Sequence, residues 1–292
     1  MKLGIKIAPG RAWKDNIEAS RPRMVEIWYN ASRPADYDDM FAYLADKSID
    51  VGLHFWGQDE NGMLATTSSP LMRRTIDIAA RHTCVYVNIH PDLYARLSAD
   101  LDTLQIRVAS PEEDHNEVNE RFMRNVTSLR AYADTKHVVL TVETVPMRDT
   151  PSWKPDRDRT NVIDIHQMPM SVLVDLARRG VAIANDFGHT ASNVISDDRE
   201  AVLRYLSDMT KALAPSTRLI HLGFIVPPYN GVDFHDTLDN PVLDTPDAIP
   251  NRNQMIELLK LFKNRQDVWI LVEPKENHVK NYTLAQKIIA SI

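Results

Sequence analysis

Nine residues of the types that hold divalent cations stand at the ends of apolar runs or in the loops that follow them: His54, His90, Glu143, Asp186, His189, His221, Asp233, His235 and Glu273. The runs read VGLH, VYVNIH, VVLTVE, VAIAND, RLIH and WILVE, and each closes on an ionisable residue. One polar residue at a strand end has many explanations. Six runs closing in the same way point to one site, built at one face of a parallel barrel. Carboxylates mixed with imidazoles suit a divalent metal, and the nitrogen donors favour Zn²⁺ or Mn²⁺ over Ca²⁺. Glu143, Asp186, His221 and Glu273 come from four successive runs, whose tips converge if the strands are neighbours. Carboxylates gathered in this way repel and desolvate one another without a cation, so at least one metal ion is expected.

The other candidates carry less on their own. His189 lies three residues after Asp186 in NDFGHT, where Gly188 is read as allowing a sharp turn that aims both side chains inward. His54 and His90 each read equally well as a ligand or as a rim histidine. Asp233 and His235 flank Phe234 in GVDFHD, a pair that gains meaning only because His189 needs partners.

Strands and helices must alternate to position these groups, and they do. Strand patterns occur at LGIKIA, MVEIWYN, VGLHFW, CVYVNIH, VVLTVE, VAIAND, RLIHLGF and VWILVE. Between them lie helical patterns, among them a long one over Asn116 to Thr135 with Val118, Phe122, Val126 and Leu129 at helical spacing, and MSVLVDLARRG, which stops on Gly180. The stretch from Arg11 to Pro22 leaves room for a short helix at most. The whole, residues 1–292, reads as a single (β/α)₈ TIM barrel with the site at the C-terminal face of its strands. Long loops at Pro146 to Gln167 and Ile225 to Pro250 hang over that face, and loops of this length in a compact fold are often functional.

Composition sets the outer bounds. The chain has 292 residues, 43% hydrophobic and 25% charged, enough to bury a large core. The formal charge of −6 argues against a surface that coats nucleic acid in general but leaves room for a local basic groove. Cys84 is the only cysteine, so no intrachain disulfide forms, and its apolar strand reads as a buried inert thiol. No basic start leads into a long apolar stretch and no run reaches bilayer-spanning length, so a cytoplasmic protein with no membrane partner is expected.

The segments VNIHP, VETV, NDFGHTA, RLIHL, VDFHD and LVEP, in this order, resemble the superfamily that includes endonuclease IV (AP endonuclease family 2) and the xylose isomerase-like sugar isomerases and epimerases. The resemblance spans the third strand to the eighth. It implies that Glu143, Asp186, His221 and Glu273 form the shared metal set. The endonuclease branch implies up to three metals. His54, His90 and Glu143 would hold one, Glu143 would bridge to a second on Asp186, His221 and Glu273, and His189, Asp233 and His235 would hold the third. The first expectation is therefore a metal-dependent phosphodiester hydrolase that cuts damaged DNA at abasic sites with a metal-activated hydroxide. The alternative is a sugar isomerase or epimerase with a single divalent metal, acting on a small sugar or sugar phosphate. There Glu143 and Glu273 would move the proton and His189 would bind substrate. A barrel that binds metal and ligand without turnover is the third class. Candidate substrate contacts are Asn30 and Arg33 after the second strand, Trp56 close to His54, and Lys275 after Glu273. His278, Arg157 and Arg159 read equally as exposed charge.

Overall fold

A computed structural model describes residues 1–10, 12–100, 103–154, 156–234 and 236–292. Ten strands run in chain order: β1 Lys2–Ile7, β2 Met24–Asn30, β3 Asp50–Trp56, β4 Tyr86–Ile89, β5 Leu97–Asp100, β6 Gln105–Val108, β7 Val139–Glu143, β8 Ala182–Asp186, β9 Thr217–His221 and β10 Trp269–Val272. Eight of them close a parallel barrel in the order β1-β10-β9-β8-β7-β4-β3-β2, and β5 and β6 form a separate antiparallel hairpin. This is the TIM barrel that the alternation predicts, with one addition. The alternation does not predict the hairpin, which is inserted after β4.

Among the described residues nine α-helices cover the barrel: α1 Trp13–Ser20, α2 Asp38–Asp46, α3 Pro70–Arg81, α4 His115–Thr135, α5 Met170–Arg178, α6 Phe187–Ala191, α7 Arg199–Leu213, α8 Arg252–Leu259 and α9 His278–Ala290. Their starts are written in the sequence. Ser69, Asp114 and Asp198 each accept backbone N–H groups of the first turn, and Asn251 with Gln254 forms a reciprocal capping box. Gly180, at φ 79°, follows α5 in the left-handed conformation that ends a helix. The buried faces of α4 and α7, with Val118, Phe122 and Val126 on one and Val202 and Leu206 on the other, belong to the main core between barrel and helices. None of the helices is long and apolar enough to cross a membrane.

Inside the barrel a second, smaller core of Met24, Tyr86, Ala184, Leu219 and Leu271 plugs the lumen. Side chains of a strand alternate between faces, so residues two positions further on also look inward. Those residues are Glu26, Asn88, Asp186, His221 and Glu273. With Lys6, His54 and Glu143 they make a complete layer, one residue from each barrel strand or its tip, and all eight are polar. Gly52 shows how tightly the plug is made. A Cβ there would lie 2.2 Å from the Tyr86 ring, so the missing side chain is what lets the ring fill the lumen and its hydroxyl donate to Glu26 Oε2 at 2.9 Å.

Candidate metal centre and the chamber above it

The expected quartet meets only at His221: Glu143 and Asp186 group with it on one side, and Glu273 groups with it together with Glu26 and His54 on the other. His221 Nδ1 lies 3.1 Å from Glu273 Oε1, 3.2 Å from Glu143 Oε1 and 3.9 Å from Asp186 Oδ2. Three carboxylates thus face one imidazole nitrogen on residues that are almost wholly buried, which is the donor set and spacing a divalent cation requires. Glu143, Asp186 and His221 offer atoms that all lie within 4.8 Å of one another. Glu143 is held by the Asn88 amide, which donates to Oε2 and in turn accepts the Thr141 hydroxyl. Burial alone would raise the Glu143 carboxyl, but His221, His54 and His90 outweigh it and hold it well below the ordinary value.

Asp186 caps the short helix α6 by accepting the His189 N–H at 2.9 Å. This turns His189 into the lumen, where Nδ1 donates to the Thr144 carbonyl at 2.8 Å and Nε2 lies 3.9 Å from Asp233 Oδ1. The role of Gly188 differs from the expectation. It does not carry a positive φ; a Cβ at Gly188 would meet Phe224 N at 3.0 Å, so its smallness lets α6 close against the segment that follows β9. Gly223 does the same more severely, since a Cβ there would lie 2.5 Å from Asp186 Oδ1.

His54 and His90 meet at 3.2 Å through their Nε2 atoms and lie 3.7 and 3.6 Å from Glu143 Oε2, so this trio also converges. The third set is different. Asp233 Oδ1 is 3.9 Å from His189 Nε2, but the Arg157 guanidinium binds the Asp233 carbonyl and approaches Oδ2 at 3.4 Å. His235 lies outside the described residues. Of the expected substrate contacts, Trp56 and Lys275 line the cavity above the metal set, as do His278 and Arg157. Asn30 does not line it and instead accepts the Ser32 N–H, while Arg33 is exposed away from the cavity.

Three members of the inner layer were missed from sequence: Lys6, Glu26 and Asn88. The Lys6 ammonium donates to Glu273 Oε1 at 2.5 Å and to His54 Nδ1 at 2.7 Å, and lies 3.5 Å from Glu26. Glu26, fully buried, reaches across the lumen to His221 Nε2 at 3.3 Å. The expectation that gathered carboxylates need a cation is met in part by the chain itself. A charged residue amid the apolar run MVEIWYN was the available signal.

Above the layer opens a chamber of about 430 Å³. Its wall is made by the β5–β6 hairpin and the long loops after β7 and β9. Ile163 and Ile165 pack on Leu97 and Ile106, which fastens the β7 loop to the hairpin. Glu112, just before α4, accepts from His115 at 2.9 Å and from His166 at 3.0 Å, which ties the same loop to α4.

No family model and no curated protein matches this sequence. Solved structures do. A D-tagatose 3-epimerase-like protein superposes with TM-score 0.63 at 13% identity, over 99% of this chain and 97% of its own. D-allulose 3-epimerase from Methylomonas sp. gives 0.63 at 11% identity, over 99% and 96%. 3-Keto-D-glucoside 4-epimerase from E. coli gives 0.60 at 10% identity, over 99% of each chain. The chain shares with them the TIM-barrel fold over 99% of its length.

Proposed function

We propose that this protein is a metal-dependent sugar epimerase or isomerase acting on a ketose. The observation that carries the reading is that Glu143 and Glu273 reach the same His221 nitrogen from two sides, at 3.2 and 3.1 Å. Two carboxylates placed so on a buried floor are the pair needed to take a proton from a carbon next to a carbonyl and return one. Glu143, Asp186, His221 and Glu273 would hold the metal, which when bound polarises the carbonyl and hydroxyl of the sugar. Glu143 enters that chemistry ionised, because the Asn88 amide and the neighbouring histidines favour its charged form. His189, whose Nδ1 donates to the Thr144 carbonyl, would orient a sugar oxygen. The apolar plug beneath and the loops above keep bulk water from the exposed intermediate. The overlap with structures of sugar 3-epimerases adds support.

The test is direct. Protein loaded with Mn²⁺ or Zn²⁺ is incubated with D-tagatose, D-allulose and D-fructose and their phosphates, and the products are resolved by chromatography. Failure to convert any ketose while an abasic-site duplex is cut would move the reading to the phosphodiesterase. One observation favours that second reading, the convergence of His54, His90 and Glu143 into another possible cation site. Against it, Arg157 already occupies Asp233, which the third metal would need. A guanidinium beside a proposed ligand competes with a cation there.

A further inference from the structure

The outer wall of the chamber is rich in under-used donors. Among the described residues only four buried side-chain polar atoms lack a hydrogen-bond partner, and three of them are N–H groups of chamber residues: Trp56 Nε1, Arg96 Nε and Arg157 Nε. The Arg157 side chain is only 6% exposed, yet it meets a carboxylate through one nitrogen at 3.4 Å instead of through the paired fork that guanidinium favours. Lys275, half-buried in the same wall, makes no ion pair among the described residues. Asp233, Asp236 and Glu273 face Lys275 at longer range, while two other acids of the lining are engaged by neutral donors. Asp149 accepts the Thr150 N–H and Trp153 Nε1, and Asp92 accepts the Thr67 N–H and hydroxyl. Burial pushes both carboxyls up, and it pushes the Lys275 ammonium down. A wall that combines buried cations with orphaned donors is completed by a group that only accepts and carries negative charge.

We propose that Arg157 and Lys275 form a subsite for a terminal anionic group, so that the substrate is a ketose bearing a phosphate or a carboxylate at the end away from the metal floor. The inference rests on the epimerase reading for the word ketose but not for the anion. The distance suits it: only His189 and Asp233 stand between Glu143 and Arg157 in a continuous line of contacts. Such a substrate would place its carbonyl end over Glu143 and Glu273 and its charged end against the loops.

Calorimetric titration of the intact, Mn²⁺-loaded protein tests this, using inorganic phosphate, D-ribulose 5-phosphate, a 2-keto uronate and unmodified D-ribulose. The anionic ketose of the correct kind should bind at least about tenfold more tightly than the neutral one, and comparison of phosphate with uronate identifies the group. Arg157→Met and Lys275→Gln should each weaken the anionic ligand by roughly tenfold or more, leave the neutral ketose unchanged, and raise KM rather than lower kcat. Arg157→Lys should recover part of the loss. Lys275→Gln guards against a trivial outcome, because Arg157 also holds the Asp233 carbonyl and its loss could loosen the loop. Equal binding of neutral and anionic ketoses, or equal weakening of both by the variants, would overturn the subsite. Two mixed outcomes separate the inferences. If no ketose is converted but phosphate binding still falls in both variants, the subsite stands and the epimerase reading fails. If neutral ketoses are epimerised and the variants leave their KM and all anion binding untouched, the epimerase reading stands and the subsite fails.

Discussion

In the floor of the cavity each side chain is set by the strand that carries it, whereas in the wall each is set by a contact between loops. Lys6, Glu26, His54, Asn88, Glu143, Asp186, His221 and Glu273 stand one per barrel strand, and the ladder fixes their height and direction. Trp153, Arg157, Asp233 and Lys275 belong to segments held by cross-loop contacts such as Arg159 on the Phe234 ring, at 4.6 Å. On the proposed function, chemistry that tolerates little displacement would sit on the strand-borne layer, and contacts that choose among substrates on the loops.

If this division is correct, damage to the floor should cost more than damage to the wall. Glu143→Gln should reduce turnover by at least about a thousandfold while leaving the circular dichroism spectrum and folding cooperativity intact. Near-normal turnover in that variant would place the chemistry elsewhere. Gly223→Ala should come next. Its new methyl must displace Asp186 Oδ1, so metal affinity should fall by about 10- to 100-fold in a competition titration with a chelator. An unchanged affinity would show that Asp186 is not a ligand.

Wall variants should be milder. Asp233→Ala should keep the full metal content by elemental analysis and mainly loosen Arg157, with KM rising several-fold. Loss of one metal per chain would return the argument to the three-metal nuclease. The smallest effect is expected at Glu112. Its slight burial would raise the carboxyl, but the His166 N–H and the His115 and His166 rings outweigh that and hold it down, from 4.5 to about 2. A depressed carboxyl contributes fully above its unfolded value and loses that contribution as pH falls through the folded one. Protection of amides in residues 156–168, measured relative to their intrinsic exchange rate at each pH, should therefore be high at pH 6 and fall between about pH 4.5 and 2. Glu112→Gln should show the low protection at every pH. A loop equally protected in wild type and variant would mean the tie to α4 does not hold it.

The floor was more legible in the sequence than the wall, and for the same structural reason. A run such as VVLTVE announces both its strand and the residue at its tip, because one period governs both. The reading stopped at tips, however, and so took the end of the apolar run for the site. Lys6 and Glu26 lie inside their runs, where a lone charge looks like the solvent face of a half-exposed strand. Stepping back by two from every tip would have exposed the plug beneath and shown that Glu26 faces the same lumen as His221. The hairpin escaped because strands of four residues with mixed exposure, LSAD and QIRV, carry too little alternation. Arg33 and Asn30 were named for their place at the end of the second strand, and neither lines the chamber. Arg157 could not be separated from ordinary surface charge, since what buries it is a partner loop about 75 residues further along the chain.

Lys6 has one more consequence. By seating an ammonium between Glu26 and Glu273, the chain brings its own counter-ion to a place where unpaired acids would otherwise oppose closure of the barrel. If the site takes a metal as proposed, folding should not depend on it: a chelator is expected to yield an inactive protein that is still folded and can be refilled.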